Sequence, residues 1–473
     1  MECPTKLFYT RKDEYANQKL DDSFLLALAE GGIQVGELAK QYHLGGHDIT
    51  ALDYEEAESE TNQLLNKDQT ILFEPAIRHQ NLFIRIDVLV KNGQELELIE
   101  VKAKSYDKLE GVNSFMNKNG SLSSAWRSYF YDVAFQTHVL ELAMPGYKVQ
   151  PYLMLIDKHA RCPTDGLHQK FRVVRNTKNH KGVSVSSELV LEALDPQILI
   201  KVPVDEQVRF IHSGKDPDGP VDFGAEVKRL AAAYEADQRI QTPIGSKCRG
   251  CEFGRKKEEL AGGQRSGFRE CWSQELGWAD NDFNDPSILD LWGYRKKDDR
   301  ITEGRAKLEQ IKKSDIGVKP KTTPGLSTSE RQWLQVQKAI DCDTTPWLDA
   351  PGLCTEMATW TYPLHFIDFE TAMVALPFNK GRHPYEGVAF QFSHHTVQED
   401  GLVAHAGEYL NTERGVFPNY KMVRELKSQL ENDDGTIFRY AHHENTFLCM
   451  IHAQLRTDSE PPADQKELMT FIR

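Results

Sequence analysis

The chain has 473 residues, of which 40% are hydrophobic and 27% are charged, and its formal net charge is −14 at pH 7. This length exceeds one ordinary hydrophobic core and predicts two domains with a connector. The sequence has no run of about 18 uncharged apolar residues and begins without a basic or apolar leader, so we expect neither membrane insertion nor secretion.

The acidic net charge would repel a polyanion at long range, so contacts with nucleic acid would have to come from local basic patches. Residues 170–181 and 295–321 contain clustered lysines and arginines that could supply them. Both segments fit an ordinary solvated surface equally well, and neither distinguishes DNA from RNA.

Hydrophobic periodicity gives a coarse order of elements. Helices are predicted over residues 25–41, 52–65, 125–142, 206–213 and 225–240, and strands over 83–90, 96–102 and 149–156. This order predicts an α/β fold with a mixed sheet.

Three charged side chains, Asp87, Glu100 and Lys102, lie within the two predicted apolar strands. Residues 91–94, with Asn92-Gly93 at their centre, are typical of a hairpin turn that would bring these strands together. Two carboxylates could then share one Mg²⁺ or Mn²⁺ ion, and the ammonium could orient a water or stabilise charge on a phosphate. The alternative is a solvated face with an ordinary cross-strand ion pair.

The spacing of Asp87, Glu100 and Lys102 resembles the core motif of PD-(D/E)XK nucleases, specifically their RecB-like branch. The resemblance implies a restriction-endonuclease-like N-terminal core. Residues 32–39 are similar to the helix that opens such domains, which implies that Glu37 reaches the metal. Residues 132–138 are similar to the helical motif after the catalytic strand, which gives Gln136 a place in the active site. Glu74, near the start of the strand before Asp87, is a weaker candidate for the same site.

Four cysteines have an uncommon spacing, with one at the start of the chain and three late: Cys3, Cys248, Cys251 and Cys271. The pattern resembles the iron-sulfur staple of RecB-like nucleases related to those of CRISPR adaptation, which implies a [4Fe-4S] cluster. Four thiolates suit Zn²⁺ equally well.

The other cysteines are isolated and are predicted to be buried apolar residues, namely Cys162, Cys342, Cys354 and Cys449. Eight cysteines without a signal peptide indicate a reduced, cytoplasmic setting.

Residues 276–360 are charged and punctuated by Gly and Pro, and we predict a helical connector there, with a helix over 301–313. Ser327 and Glu330 have capping-box spacing and predict a helix over 331–340. The predicted domains are therefore 1–275, 276–360 and 361–473.

Asp368 and Glu370 share one face at the end of an apolar strand. This segment resembles the first motif of DEDD exonucleases, which implies a ribonuclease-H-like domain. The resemblance places Glu444 in the second acidic motif, so that these three residues could hold a second Mg²⁺ or Mn²⁺ site. A third motif is missing, so we expect a partial domain, either cut short or inactive and retained for binding. The histidines of this region are given no role.

Together the two halves resemble a bacterial family of two-domain proteins. The resemblance implies a metal-dependent nuclease that hydrolyses DNA, as single strands or duplex ends, in repair, recombination or defence. Asp87 and Glu100 would hold the metal with help from Glu37, Lys102 would position the attacking water, and Gln136 would support the site. Two alternatives remain: a non-catalytic nucleic-acid-binding protein with a structural metal cluster, and a subunit that serves a helicase or defence complex.

Overall fold

The computed structural model of the protein describes residues 3–20, 22–175, 181–260 and 263–473, so the predicted basic segment 170–181 lies partly outside the described residues. The helices are α1 Lys6–Tyr9, α2 Ser23–Gln41, α3 Tyr54–Leu65, α4 Arg127–Ala143, α5 Leu167–Lys170, α6 Asp205–His212, α7 Phe223–Glu235, α8 Gly267–Leu276, α9 Lys297–Thr302, α10 Lys313–Ile316, α11 Thr328–Ile340, α12 Ala350–Met357, α13 Asn419–Leu430, α14 His443–Thr457 and α15 Gln465–Ile472.

The strands are β1 His47–Asp48, β2 Gln69–Phe73, β3 Ala76–His79, β4 Leu82–Arg85, β5 Val88–Asn92, β6 Glu95–Tyr106, β7 Lys148–Asp157, β8 Phe171–Arg175, β9 Lys181–Val185, β10 Leu199–Pro203, β11 Leu364–Ala372, β12 Val388–Val397, β13 Val403–Leu410 and β14 Ile437–Phe438. The predicted α/β class with a mixed sheet is confirmed. In the described part of the chain, no helix combines the length and the apolar character that a membrane crossing requires.

The chain forms two compact units, each built from two separate stretches of sequence. The first unit comprises Met1–Leu26 and Arg229–Thr359, and the second comprises Ala27–Lys228 and Trp360–Arg473. Within the second unit we call residues 27–228 the core and residues 360–473 the C-terminal region.

The core is built on a sheet with strand order β1-β2-β5-β6-β7-β10. Strands β2, β5 and β6 form an antiparallel meander, while β6 and β7 are parallel and are connected through helix α4. Apolar residues of β5, β6 and β7 are buried because the sheet is covered on both faces, as the near-continuous apolar runs predict. The predicted hairpin is confirmed: β5 and β6 pair around Gly93, whose φ is 58°.

The predicted continuous strand over 83–90 is wrong. Strand β4 ends at Arg85 and pairs with β3 in a separate two-stranded sheet, and β5 begins only at Val88. Asp87 therefore lies at the break between the two strands. The periodicity did not reveal this break because both segments are apolar and β-branched.

The C-terminal region is built on a sheet with strand order β13-β12-β11-β14. Strands β11, β12 and β13 are antiparallel, and β14 runs parallel to β11. Helices α13, α14 and α15 contribute Met422, Ile451 and Leu468 to one buried cluster with Phe369 and Phe392 of the sheet.

One loop of the C-terminal region, residues 373–387, is built into the core, and we call it the docking loop. Its Ala375 and Leu376 belong to the same buried cluster as Ile99 and Val101 of β6. Backbone hydrogen bonds extend along the contact: Gly166 N donates to Phe378 O at 2.7 Å, and Cys162 N donates to Arg382 O at 2.8 Å. The docking loop of the C-terminal region thus packs into the hydrophobic interior of the core.

The first unit is made mostly of short helices and turns. The predicted helix after Ser327 is confirmed as α11, with Ser327 and Glu330 in a capping box. The helix predicted over 301–313 is wrong: α9 ends at Thr302, and Gly304 adopts a positive φ of 74° that interrupts the helical path. The predicted helix over 225–240 is shorter than expected, since α7 ends at Glu235.

Candidate functional site

Asp87 and Glu100 are brought together by the β5–β6 hairpin, as predicted. The Asp87 carboxylate accepts a hydrogen bond from the backbone N of Val101 at 2.6 Å. Glu100 lies on β6 with 5% of its surface exposed. Because Val101 directly follows Glu100, this hydrogen bond fixes the first carboxylate next to the second.

Lys102 and Gln136 complete the predicted set, and both contact Glu100. Lys102 Nζ lies 2.5 Å from Glu100 Oε1, and Gln136 Nε2 donates to Glu100 Oε2 at 2.8 Å. Each of the two oxygens of Glu100 therefore has a different partner. Asp132, one turn before Gln136 on α4, accepts from Lys102 Nζ at 3.0 Å and from Gln136 Nε2 at 3.0 Å.

Asp87 and Glu100 have unusually high pKa values. Burial, and then repulsion from Asp87, raise the pKa of Glu100 to about 8, although Lys102 opposes the shift. Burial raises the pKa of Asp87 to about 6 despite the hydrogen bond from Val101, with Glu74 and Asp132 adding to the rise. Burial is the main cause of both shifts, and the proximity of the two carboxylates adds to them.

Lys102 is the cation of this group. Burial alone would lower the pKa of Lys102, but the charges of Glu100 and Asp132 outweigh burial and raise this pKa above its usual range. The ammonium therefore stays charged at neutral pH.

Glu74, the weaker candidate from the sequence, belongs to the same electrostatic group. Burial raises its pKa, with a contribution from Glu100, although Lys40 and Arg85 oppose the rise. Its backbone has a positive φ of 54°, which is uncommon for a residue with a Cβ, and its N donates to Asp87 O at 3.2 Å. We call the set Glu74, Asp87, Glu100, Lys102, Asp132 and Gln136 the Asp87 cluster.

Glu37 lies on α2 and contacts none of the side chains in the Asp87 cluster through a hydrogen bond or ion pair. Its carboxylate lies 3.6 Å from Lys40 Nζ and accepts from Gln41 Nε2 at 3.4 Å. Burial alone would lower the pKa of Lys40, but the hydrogen bond with Asp48 and the charges of Glu37 and Glu74 raise it overall. Glu37 is thus connected to the cluster only through the ammonium of Lys40.

Strand β6 is irregular at the position of Lys102. Its pairing with β7 is regular up to Val101 and resumes at Ser105 after a shift of register. Between these points the hydroxyl of Tyr385, from the docking loop, donates to Ala103 O at 2.5 Å. The backbone that carries Lys102 is therefore held by the C-terminal region and not by the neighbouring strand.

The Asp87 cluster fits a divalent cation by its chemistry. Carboxylate oxygens are the ligands that Mg²⁺ and Mn²⁺ prefer, and a bound cation would favour the charged forms of Asp87 and Glu100, whose pKa values burial raises. Gln136 Oε1 is buried and has no hydrogen-bond partner. Over the described ranges, no three His, Cys, Asp or Glu side chains have the geometry of a finished metal-ion site.

The four predicted ligand cysteines, Cys3, Cys248, Cys251 and Cys271, line one cavity of about 80 Å³ in the first unit. We call them the thiol cluster. Helix α1 starts close to Cys3, and Lys6 of α1 is bonded to Glu252 at 2.5 Å, so that the start of the chain is fastened beside Cys251. Tyr15 and Arg265 also form an isolated bridge between the two stretches.

Two thiols of the thiol cluster have pKa values above the usual range. Burial raises the pKa of Cys251 to about 11, and burial also raises that of Cys248, with Cys3 and Cys271 contributing. Thiols must lose their protons to bind iron or zinc, so a metal would replace those protons. Arg239 Nη2 donates to Cys271 Sγ at 3.2 Å and would offset part of the charge of the thiolates. The residues fit either ion.

The prediction that the remaining cysteines are buried is correct for one and wrong for three. Cys162 is buried in the core of the second unit, whereas Cys342, Cys354 and Cys449 are exposed. Each of the three lies in or next to a short helix or on the outer face of a helix, where local sequence carries little information about burial.

The second predicted acidic set, in the C-terminal region, does not converge as the Asp87 cluster does. Asp368 and Glu370 are exposed on β11, whereas Glu444, at the start of α14, is 7% exposed with its Oε2 lacking a hydrogen-bond partner. The nearest bonded contact between these elements is Thr371 Oγ1 to His443 Nε2 at 3.0 Å. No hydrogen bond or ion pair joins the three carboxylates, and the second metal site stays a prediction.

Two histidines of the C-terminal region form a buried network instead. His365 Nδ1 lies 2.9 Å from His394 Nε2, and the network continues from His365 to Asp433 at 2.9 Å and from His394 to Gln429 at 3.0 Å. Burial lowers the pKa of His394, with His365 and His395 contributing, although the Gln429 bond opposes the shift. The network joins β11 and β12 to the helix that follows.

Sequence reasoning missed Asp132 and Tyr385. Asp132 could have been found, because it lies four residues before Gln136 on a predicted helix and therefore on the same face. Tyr385 lies in an irregular loop, and no local pattern indicates which distant strand such a residue contacts.

Comparison with known proteins gives a single finding for part of the chain. The family described as a domain of unknown function (DUF2779) matches residues 365–471, within the C-terminal region. No curated protein matches the chain. No solved structure matches it either. The description of the family names no activity.

Proposed function

We propose that the protein is a metal-dependent nuclease that hydrolyses phosphodiester bonds of DNA. The observation that carries the proposal is the convergence of Asp87, Glu100, Lys102 and Gln136 in one hydrogen-bonded group. Glu100 and Gln136 are buried in this group, and Asp87 and Lys102 are half-buried. An ordinary cross-strand ion pair would be solvated and would not hold two carboxylates with raised pKa values.

Asp87 and Glu100 would hold Mg²⁺ or Mn²⁺, and Glu74 is better placed than Glu37 to assist because its charge acts directly on both. The bound ion would lower the pKa of a water and stabilise charge on the phosphate. Gln136 orients Glu100 by donating to one of its oxygens, and Asp132 holds Lys102 in place. Lys102 then presents a permanent positive charge to the attacking water and the phosphate.

The fold of the core also supports the nuclease proposal. In the core, the meander β2-β5-β6 leads through α4 to the parallel strand β7, and the candidate residues lie at the β5–β6 junction and on α4. This is the mixed sheet expected of a restriction-endonuclease-like domain. The order β13-β12-β11-β14, with only β14 parallel, supports a ribonuclease-H-like C-terminal region.

The thiol cluster would hold a structural [4Fe-4S] cluster or Zn²⁺. Its four thiols come from the beginning of the chain and from residues 248–271, so bound metal would tie two distant stretches of the first unit together. The role is proposed as structural because the ligand set is complete with four thiols and leaves no open position.

The test is hydrolysis of labelled single-stranded and double-stranded DNA, with labelled RNA in parallel, by the purified full chain. We expect cleavage of DNA with Mg²⁺ or Mn²⁺ and none with EDTA. Glu100→Gln should abolish cleavage, whereas Glu95→Gln, an exposed change on the same strand, should leave it intact. Equal cleavage by the two variants, or no metal-dependent cleavage by the unaltered chain, would refute the proposal.

A further inference from the structure

A large cleft opens beside Lys102 in the second unit. Its volume is about 1600 Å³, and it is lined by residues of β6 and α2 in the core and by two loops of the C-terminal region, including residues 411–416. Pockets for small ligands have volumes of about 300–1,000 Å³, so this space suits an extended ligand better.

Three cations of the cleft have no acidic partner in the part of the chain that the structure describes. Two of them, Arg172 of the core and Arg414 of the C-terminal region, line the cleft and are exposed. Lys104 lies over two aromatic rings: its Nζ lies 4.7 Å from the ring centre of Trp126 and 5.4 Å from that of Tyr129. Burial lowers the pKa of Lys104.

Three acidic residues also line the cleft, namely Glu30, Asp165 and Glu413. Glu413 is paired with Lys421 at 2.9 Å, and the Asp165 carboxylate accepts from the backbone N of Lys380 at 2.8 Å. Uncompensated cations beside the reactive lysine, together with an aromatic ring, are the features that bind a polynucleotide strand.

We infer that this cleft binds the backbone of a polynucleotide strand next to Lys102, with Arg172 of the core and Arg414 of the C-terminal region each contacting a phosphate. The inference rests on the proposed nuclease function and gives the C-terminal region a part in substrate binding.

The test is fluorescence anisotropy of a labelled single-stranded oligonucleotide in EDTA, where no cleavage occurs. Arg414→Ala and Arg172→Ala should each weaken binding about tenfold, the loss expected for one charged hydrogen bond. Each should also reduce the slope of log affinity against log salt by about 0.7. Arg456→Ala removes an exposed arginine of the same region outside the cleft and should leave affinity and slope unchanged.

Binding assays separate this inference from the nuclease proposal. If the arginine variants lose affinity while the unaltered chain never cleaves, the cleft is supported and the nuclease proposal fails. If the unaltered chain cleaves but both arginine variants bind normally, the cleft is refuted alone. Absence of any binding by the unaltered chain also refutes it.

A second, independent observation concerns Tyr385. Its hydroxyl donates to Ala103 O where β6 loses its regular pairing with β7, one residue from Lys102. Burial raises the pKa of Tyr385 to about 12, so the phenol keeps the proton that it donates. The backbone of Tyr385 has a positive φ of 57°, uncommon for an aromatic residue, and its N is held by Val374 O at 2.8 Å.

We propose that Tyr385 is a positioning residue of the nuclease centre, which holds the irregular segment of β6 so that Lys102 points at the reacting phosphate. This proposal also rests on the proposed function. It predicts an effect on turnover and not on substrate affinity when only the hydroxyl is removed, because the hydroxyl acts through Ala103 O while the ring that lines the cleft is kept.

Tyr385→Phe removes only the hydroxyl. We expect kcat to fall about tenfold, with KM and melting temperature unchanged, since a small displacement of a reacting group has a large effect on rate. Tyr409→Phe is the matched control, because the buried Tyr409 hydroxyl has no hydrogen-bond partner in the described structure. An unchanged kcat, or a fall in kcat that only follows a lower melting temperature, would overturn the proposal.

Hydrogen exchange supplies a readout that does not depend on cleavage. Amides of residues 102–104 should exchange faster in Tyr385→Phe than in the unaltered chain or in Tyr409→Phe. Equal exchange in all three proteins would refute the positioning role even if no nuclease activity is found.

Discussion

Two acidic regions of the second unit were both predicted from carboxylates within apolar strands, and their side chains are arranged differently in the structure. Asp87 and Glu100 converge, with Glu100 bonded to Lys102 and Gln136 and Asp87 bonded to the backbone of Val101. In contrast, Asp368 and Glu370 are exposed on β11, and Glu444 is buried without contacting them. Same-face carboxylates on a strand therefore have little meaning alone. Enclosure, a shared cation and a partner for each oxygen distinguish a candidate catalytic centre from a surface.

The largest expected effect concerns Lys102. Lys102→Ala should lower the cleavage rate by at least about a hundredfold, because it removes a preorganised positive charge from the site. The measurement is the single-turnover rate with Mg²⁺ and labelled DNA. Lys148→Ala, an exposed change at the start of β7, is the control and should cleave normally. Equal rates for the two variants would mean that Lys102 has no catalytic role and that the Asp87 cluster is no better a candidate centre than the exposed Asp368 and Glu370.

The same contrast between converging and scattered residues applies to the thiols of the first unit. Cys248→Ser should lose bound iron or zinc and lower the melting temperature by several degrees, because the ligand set would be broken. Cys354→Ser changes an exposed thiol and should alter neither. Metal analysis and thermal melting provide the comparison. Equal metal content in the two variants would exclude the thiol cluster as the site.

A smaller effect is expected from divalent cation on stability. At a Mg²⁺ concentration of about one hundred times its dissociation constant, binding should stabilise the folded chain by about 2.7 kcal/mol. Asp87→Asn should remove this gain and Asp368→Asn should retain it. The measurement is the melting temperature with Mg²⁺ and with EDTA. Loss of the gain in Asp368→Asn instead would move the metal site to the C-terminal region.

The smallest effect is a pH dependence of the histidine network. The pKa of His394 is lower in the folded chain than the ordinary value of about 6.5, so the unfolded chain takes up this proton first as pH falls. Stability is therefore complete above about pH 6.5 and declines below it. His394→Gln should flatten the dependence of melting temperature on pH, and His405→Gln, an exposed change on β13, should not. An identical pH dependence in both variants would contradict the burial argument.

Much of the Asp87 cluster was predictable because its signals are local. The Asn92-Gly93 turn determines the register of the β5–β6 hairpin, and the two-residue spacing of Glu100 and Lys102 determines their common face. Gln136 was predicted from the resemblance of residues 132–138 to the helical motif of RecB-like nucleases. The break at Asp87 was not predictable, because β4 and β5 are both apolar and follow each other closely in sequence. Only their different partners, β3 for β4 and β6 for β5, separate them.

The rest depended on contacts that are distant in sequence. Tyr385 reaches Ala103 across 282 positions, and the docking loop enters a core that its own sequence does not identify. The exposed positions of Cys342 and Cys354 were mispredicted for a related reason. Whether a single small residue is buried depends on the residues that pack over it, and the sequence of a short helix does not identify those residues.

The most direct measurement of the central claim is the position of Mn²⁺ in crystals of the protein, located by anomalous diffraction. The account predicts a peak about 2.1 Å from carboxylate oxygens of both Asp87 and Glu100, at the distance typical of such small hard cations. A chain that binds Mn²⁺ only elsewhere, with no peak between these two carboxylates, would contradict it.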